Sequence, residues 1–276
     1  MKPSTLSRWI GRFWLIATFL FLYLPIFSLV VYSFSESEVL NDWTKFSFRW
    51  YKALAEDTEM LSGLLTSLQV AALSATGSVI LGTLASYVML RYQVFFGRRL
   101  FLGMVNAPLV MPDIVVGLSL LLAIASVKSL LGIGGAGSIY TIWIGHTLVG
   151  TAYATVVISA RLRELNPQFE EAALDLGAKP FQVFYLVTLP MILQSLGAAW
   201  LLSFTLSLDD VVIAGFLSGP SSTTLSMVIF SRAQRALDPT VNALATVVIV
   251  LVTLGVVGAS YLIARREKQQ AKQGKG

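Results

Sequence analysis

The chain has 276 residues, of which 55% are hydrophobic and 13% charged, with a net charge of +5 and no cysteine. A soluble domain carries about 25% charged residues, so the deficit indicates a membrane protein, and the absence of cysteine excludes disulfides and thiolate metal sites. A basic balance can indicate nucleic-acid binding, but here it fits better with basic loops on one side of a bilayer.

Six segments have the roughly 20 apolar residues that a helix needs to cross a bilayer. They cover about 13–34, 61–90, 100–127, 139–160, 191–217 and 241–264. The sequence therefore predicts an all-α membrane protein, with six transmembrane helices in a single domain over 1–276. The segment 13–34 follows basic residues as a signal peptide does, but its apolar run is too long and no cleavage site follows. We interpret it as a retained signal anchor.

The basic residues are distributed unequally between the two sides that six crossings define. Fourteen of the 20 Lys and Arg residues fall in the N-terminus, in 91–99, in 161–190 and in the charged tail 265–276. Cytoplasmic loops carry an excess of Lys and Arg. The sequence therefore places both termini and the segment 161–190 in the cytoplasm.

The first outer segment, 35–60, is acidic and aromatic, and it includes Trp43 and Trp50. Two interpretations are open. The segment is an aromatic belt on a solvated loop at the membrane interface, or it is a docking surface or entrance that attracts cations. In the second case the rings of Trp43 and Trp50 contact a cationic substrate.

The second segment carries a stripe of small residues at four-residue spacing, Ser74, Ser78, Gly82 and Ser86. Such a stripe allows another helix to approach closely, so it predicts packing.

The fourth segment contains His146, the single histidine of the chain. A lone histidine in a membrane helix is more often a packing or hydrogen-bonding residue than a site, so we do not include it among the site residues.

Acidic residues occur in two membrane segments, where the helices are expected to break. In segment three Asp113 follows Pro108 and Pro112, which disrupt helical hydrogen bonding. In segment five Asp209 and Asp210 interrupt an apolar run. If the two segments enter the membrane from its inner edge near residues 99 and 191, a rise of ~1.5 Å per residue places Asp113 about 21 Å and Asp209 about 27 Å from that edge. The acids are therefore expected at similar depth.

Each of these acids has two possible roles. It caps the start of a half-helix, or it lines a cavity, since acids inside a membrane face water or a partner. The predicted membrane body contains no Lys or Arg to pair with them. We predict that Asp113 and at least one of Asp209 and Asp210 line the route of a cationic substrate, and capping remains the alternative.

The polar segment 161–190 separates two apolar blocks and has the signals of a helix–glycine–helix element. Asn166 and Pro167 suit the N-cap and first position of a helix. Gly177 can end that helix in the left-handed conformation, and Pro180 can begin a second short helix.

The segment 161–190 also carries a motif with long spacing. Its residues are Glu171, Ala172 and Ala173, then Gly177, then Val187, and finally Leu189 and Pro190. This spacing resembles the EAA loop of ABC importer permeases, in which isoleucine is usual where this chain has Val187. The resemblance covers about 10–264. It implies the type I ABC importer permease fold with a cytoplasmic EAA coupling helix within 166–187. We therefore call 161–190 the coupling loop.

The resemblance also implies a set of residues that dock an ATPase. They are Glu170, Glu171, Ala172, Ala173, Gly177, Leu189 and Pro190. Three further stretches resemble the polyamine branch of the family, and within it the second permease subunit of putrescine importers. They are NAPLVMPDIVVGLSLLL, SLDDVVIAGFLSGP and VNALAT.

The function that the resemblance implies is that of a permease subunit in an ATP-driven importer of a polyamine, putrescine in particular, across the bacterial inner membrane. The implied partners are a homologous second permease, two cytoplasmic ATPase subunits that bind ATP and Mg, and a periplasmic binding protein. No cofactor is expected in this chain. Import of spermidine or of another small solute is the alternative. A membrane enzyme or scaffold is a further one, although the chain has no P-loop, GxSxG, HExxH or Rossmann motif.

Overall fold

The computed structural model describes residues 5–39, 42–92, 94–132, 137–235 and 238–273. Within these ranges the protein is helical and has no β-strand, only an isolated bridge between Ser35 and Phe46. The helices are α1 Thr5–Tyr32, α2 Arg49–Glu56, α3 Thr58–Arg91, α4 Arg98–Val110, α5 Asp113–Leu130, α6 Ile139–Glu164, α7 Gln168–Asp175, α8 Pro180–Val183, α9 Leu189–Met191, α10 Leu193–Asp209, α11 Val212–Leu217, α12 Leu225–Arg235 and α13 Pro239–Gln273. A π-helical segment, Phe184–Thr188, joins α8 to α9.

Several helices have the length and composition of membrane spans. Four qualify among the described residues, Trp9–Tyr32, Thr58–Arg91, Asp113–Leu130 and Ile139–Glu164. A fifth is added if Pro180–Met191 and Leu193–Asp209, which are bent by 70°, form one broken span. The apolar part of α13, Pro239–Leu254, is shorter. The protein is therefore a multi-pass membrane protein.

The chain divides into two compact units, 1–58 with 231–276 and 59–230. In the first unit α13 packs against α1 and α2, and Arg232 pairs with Asp57 and Asp238 at 2.6 and 3.0 Å. Helix α13 continues to Gln273, so the predicted tail is helical as far as the structure describes it, and 274–276 lie outside the described residues. Its Lys, Glu and Gln residues have high helix propensity, which explains the continuation.

The second unit is organised around α6, which packs against α4, α5, α10 and α11 and receives hydrogen bonds from α3. The small-residue stripe of α3 makes these bonds with its serine side chains, which donate to carbonyl oxygens of α6. The pairs are Ser74 and Trp143 (3.4 Å), Ser78 and Thr147 (3.2 Å), and Ser86 and Thr155 (3.0 Å). Each pair is separated by 69 residues, so the two helices run parallel in a fixed register.

The close approach of these helices explains the small side chains of the stripe. A Cβ on Gly82 would lie 2.8 Å from the Cβ of Ala154, so a larger residue would force α3 away from α6. This confirms the predicted packing role of the stripe. The core of the second unit continues in two buried clusters, one around Ile142, Ile213 and Leu217 and one around Ile158 and Ile192.

Two helix breaks shape the second unit. Between α4 and α5 the chain is extended at Met111 and Pro112, with ψ of 137° and 139°. Between α10 and α11 it is extended at Asp210, with ψ of 129°. Pro108 remains inside α4, so Pro112 causes the first break. Both breaks were predicted from the sequence.

Candidate functional site

The two breaks and α6 enclose a cavity of about 400 Å³, which we call the acid cavity. Its polar lining consists of three carboxylates, one imidazole and several hydroxyls, contributed by Asp113, Asp209, Asp210, His146, Tyr153, Ser203 and Ser207. The structure therefore brings all three acids of the predicted route to one place. Among the described residues no group of three or more His, Asp or Glu side chains is arranged to hold a metal ion.

Asp210 is held by α11 and α6. Its Oδ2 accepts a hydrogen bond from the Ala214 amide at 2.7 Å, and its Oδ1 accepts one from the Ile213 amide at 3.4 Å. These bonds satisfy backbone donors at the start of α11, which is what a capping residue does. The His146 Nε2 lies 3.1 Å from the same Oδ2. Asp210 thus caps a half-helix and lines the cavity, so both open interpretations hold for it.

His146 is a site residue that the sequence analysis did not include. Its side chain is buried, and its Nδ1 lies 2.6 Å from the Ser207 Oγ. An ionised Asp210 can only accept, so a neutral imidazole satisfies both contacts when it carries its proton on Nε2. Nε2–H then donates to Asp210, and Nδ1 accepts from the Ser207 hydroxyl. An ionisable residue inside a membrane segment is a signal for function, but only the folded contact identifies its partner.

Asp113 and Asp209 differ from Asp210, because within the described part of the chain neither has a partner for its carboxylate from another residue. Asp113 is the first residue of α5, and Pro112 occupies the N-cap position without a side-chain capping bond. The capping interpretation is therefore not supported at Asp113. Asp209 is the last residue of α10. Both side chains are exposed in this chain, so both carboxylates are available to a ligand.

The two tryptophans of the predicted route belong to the first unit, whereas the acid cavity is lined by residues of the second. Trp43 is exposed. Trp50 is buried, its Nε1 donates to the Ser35 carbonyl at 2.8 Å, and the Arg49 guanidinium lies 4.9 Å from its ring centroid. Trp50 therefore stabilises its own loop, and contact of either ring with a substrate stays a prediction.

The coupling loop has the predicted local structure. The Asn166 Oδ1 accepts a hydrogen bond from the Gln168 amide at 3.1 Å and so caps α7. Gly177 has φ of +87°, the left-handed conformation that glycine adopts without strain. α8 begins at Pro180. The chain then continues through the π-helical segment and α9 into α10.

The predicted docking residues differ in exposure. Glu171, Ala172, Gly177 and Pro190 are exposed, whereas Ala173 and Leu189 are partly buried. Glu170 turns inward, where its Oε1 accepts from Arg91 of α3 and, at 2.8 Å, from Thr188 of the π-helical segment. Large apolar side chains are exposed around α7 and α8, namely Phe169, Leu174, Leu176, Phe181, Tyr185 and Leu186.

Comparisons with known proteins identify relatives among the permeases of transport systems. Residues 78–268 match the family described as binding-protein-dependent transport system inner membrane component. The putrescine transport system permease protein PotI of Escherichia coli K12 is 48% identical over 94% of this chain and 92% of that protein. The spermidine/putrescine transport system permease protein PotC of the same strain is 36% identical over 90% of this chain and 91% of that protein.

Solved structures show the same fold at low sequence identity. A chain of a bacterial ABC transporter involved in the import of the acidic polysaccharide alginate superposes with a TM-score of 0.68, at 17% identity, over 96% of this chain and 99% of that one. A chain of an amino acid ABC transporter has a TM-score of 0.53, at 18% identity, over 79% of this chain and 98% of that one. The fold is that of ABC importer permeases.

Proposed function

We propose that this chain, which belongs to the family of binding-protein-dependent transport system inner membrane components, is a permease subunit of an ATP-driven importer of a polyamine, with putrescine as the substrate. The relatives that cover nearly the whole chain are permeases of putrescine and spermidine/putrescine systems. The observation that carries the proposal is the acid cavity, in which two carboxylates without a partner face the same space.

The chemistry of the cavity suits a diamine. Putrescine carries two ammonium groups joined by four methylene groups. Asp113 and Asp209 offer two charged acceptors, while Val149, Leu206 and Ile213 offer apolar wall for the methylenes. A carboxylate within a membrane segment is costly unless it faces water or a partner, and a polyvalent amine would compensate both acids at once. Asp210 and His146 hold each other and keep the break between α10 and α11 in place.

The architecture we propose is a single permease domain over 1–276 with six crossings and both termini in the cytoplasm. The four long apolar helices, α10 and α13 would supply the six, and α8 and α9, which are bent by 70° from α10, would remain in the coupling loop. The first crossing corresponds to the predicted signal anchor. The excess of basic residues in 91–99, in the coupling loop and in the tail supports the orientation. The location is the inner membrane, as for the family.

We propose that α7 docks the ATPase. Glu171, Ala172 and Gly177, together with the exposed apolar residues around them, form the contact surface. Glu170 acts from inside, because its bonds to Arg91 and Thr188 tie α7 to α3 and to the π-helical segment. A partner that pushes on α7 therefore moves a connected body.

The motion has a direct path to the acid cavity. The π-helical segment leads through Leu189 and Pro190 into α10, and α10 ends at Asp209. ATP binding to two ATPase subunits would close them, shift α7 and tilt α10, and so would change the access of the cavity to the two sides of the membrane. A second permease would form the other wall of the route, and a periplasmic protein would deliver the substrate. The nucleotide and its Mg would be bound by the ATPase alone.

Transport by a reconstituted complex tests the function. Vesicles would hold this chain, its partner permease and the ATPase, with the binding protein and labelled diamine outside and ATP inside. We expect ATP-dependent uptake of putrescine, which unlabelled putrescine suppresses better than spermidine. Preferred uptake of spermidine would assign the triamine as substrate, and failure of both amines to enter or to stimulate ATP hydrolysis would refute a polyamine importer.

A separate experiment tests whether α7 docks the ATPase. Gly177→Asp forces a side chain into the left-handed conformation, which costs about 1–2 kcal/mol, at the joint between α7 and α8. Gly97→Asp is the matched control, because Gly97 also has a positive φ, +80°, but lies before α4. We expect only Gly177→Asp to abolish substrate-stimulated ATP hydrolysis while substrate binding persists. Equal loss in both variants would mean that backbone strain alone explains the effect.

A further inference from the structure

A second cavity of about 400 Å³, which we call the arginine cavity, shares no lining residue with the acid cavity. It is lined by the ends of α3 and α6 and the start of α4, through Met89, Leu90, Arg98, Leu102 and Arg163. We propose that the arginine cavity binds an anionic phospholipid, with the phosphate on Arg98 and Arg163 and the lipid chains along the three apolar side chains.

The described part of the chain supplies no acidic partner for the two guanidinium groups. Within the described ranges, neither Arg98 nor Arg163 forms a hydrogen bond or ion pair with an acidic side chain. The Nε of Arg98 is buried and has no acceptor. Arg91, by contrast, is paired with Glu170. Burial of this one donor without an acceptor is costly. A phosphate on Arg98 would remove that cost, and the exposed side chain of Arg163 would add a second guanidinium to it.

The position of Arg98 increases the local positive charge. It is the first residue of α4, which has no acidic residue in its first turn and no side-chain cap. The N-terminal end of a helix carries a partial positive charge that favours anions. No Asp or Glu occurs anywhere in 91–112. Because arginine at this end of a helix opposes the dipole, an external anion would stabilise the arrangement.

A phospholipid fits better than a free anion. Met89, Leu90 and Leu102 line the cavity beside the guanidinium groups, so the hydrocarbon of a phospholipid would have side chains to contact, and inorganic phosphate has no hydrocarbon to place there. Basic pockets between transmembrane helices on the cytoplasmic side bind anionic lipid headgroups. That this cavity lies on the cytoplasmic side of the membrane follows from the orientation given in the proposed function.

Lipid retention tests the proposal. The complete complex would be extracted from membranes that contain phosphatidylglycerol and phosphatidylcholine in equal amounts, and the retained lipids would be counted by native mass spectrometry. We expect the variant R98Q/R163Q to retain about tenfold less phosphatidylglycerol than the wild type, which corresponds to the loss of about one charge-assisted contact. Arg99→Gln is the matched control, because Arg99 is the exposed neighbour that does not line the cavity.

Three outcomes would overturn the proposal. The first is equal retention of phosphatidylglycerol in the wild type and R98Q/R163Q. The second is unchanged lipid retention with loss of the ATPase from the purified complex, which would assign the arginines to a protein carboxylate. The third is binding of labelled inorganic phosphate that requires both arginines while lipid retention does not. Retention does not depend on the transported substrate, so a failed uptake assay would leave this result intact.

Discussion

The two helix breaks at the acid cavity reach a similar geometry by different means. The break between α4 and α5 is imposed by the backbone, because Pro112 lacks an N–H and its ring would clash with the carbonyl four residues earlier in a continuous helix. The break between α10 and α11 has no proline. It is held by side chains, since Asp210 caps α11 and accepts from His146 of α6.

The difference determines which acids are free for a ligand. A proline break needs no capping side chain, so Asp113 keeps its carboxylate available at the cavity. A break held by side chains needs a carboxylate for its hydrogen bonds. Asp210 provides that carboxylate, so its neighbour Asp209 is the acid that remains available to a ligand. The comparison therefore divides the three acids into two that would bind substrate and one that maintains the site.

The largest effect is expected from the two free acids. Asp113→Asn and Asp209→Asn each remove a charge without a large change in shape. Loss of one charge-assisted contact costs about 1.5–3 kcal/mol, so we expect roughly 10- to 150-fold lower uptake efficiency at unchanged assembly. Uptake of labelled putrescine and copurification of the partners measure the two quantities. Normal uptake in both variants would remove the acid cavity from the substrate route.

A second and smaller effect is expected from Asp210, the acid whose hydrogen bonds maintain the break. Asp210→Ala loses the cap of α11, which costs about 0.5–2 kcal/mol, and leaves His146 buried without its carboxylate. Asp210→Asn keeps the capping oxygen. We expect the alanine variant to unfold at a lower temperature and to lose uptake in proportion, while the asparagine variant retains most of both. Thermal unfolding of the purified complex measures the difference.

The contrary result would also be informative. If Asp210→Asn lost uptake as severely as Asp113→Asn while unfolding like the wild type, Asp210 would be a substrate ligand. The division of the acids by their partners would then be wrong.

Much of this arrangement was accessible from the sequence, for identifiable reasons. The Pro112 break, the interruption at Asp209 and Asp210, and the left-handed Gly177 depend on local backbone chemistry, which a sequence states directly. The stripe that includes Gly82 predicted close packing, because small size is also a local property. Counting residues along two helices predicted a similar depth for the acids, and the structure shows that all three line one cavity.

What the sequence could not supply were contacts between distant residues. His146 and Asp210 are 64 residues apart, and their contact depends on the rotation and height of α6 against α10. The inward position of Glu170 depends likewise on Arg91, 79 residues away. The predicted role of Trp50 considered its ring but not its covering by Arg49. In each case the side chain could bond to several different partners, and the packing of distant parts of the chain determines which one it contacts.

A third effect concerns the histidine that supports the second break. His146→Ala removes the bonds to Asp210 and Ser207, so Asp210 is held only by its own bonds to the backbone amides of α11. A net hydrogen bond is worth about 1 kcal/mol, so we expect uptake to fall roughly fivefold. His146→Gln, which can still donate to Asp210, should retain more uptake than the alanine variant. Equal activity of His146→Ala and the wild type would show that the cap alone maintains the break.

The smallest effect is expected at the first break. Pro112→Ala removes the ring that prevents a continuous helix, yet the extended backbone is also favoured by the loop geometry at Met111 and by the packing of α5 against α11. Alanine at a compatible position mainly restores freedom to the unfolded chain, a cost of about 0.4–1 kcal/mol. We expect uptake to fall by no more than about two- to fivefold, which is the same range of free energy expressed as a ratio. The change should appear in KM, because only the position of Asp113 is affected. A loss as large as that of Asp113→Asn would mean that α4 and α5 join when the proline is absent, and that the proline alone presents the acid to the cavity.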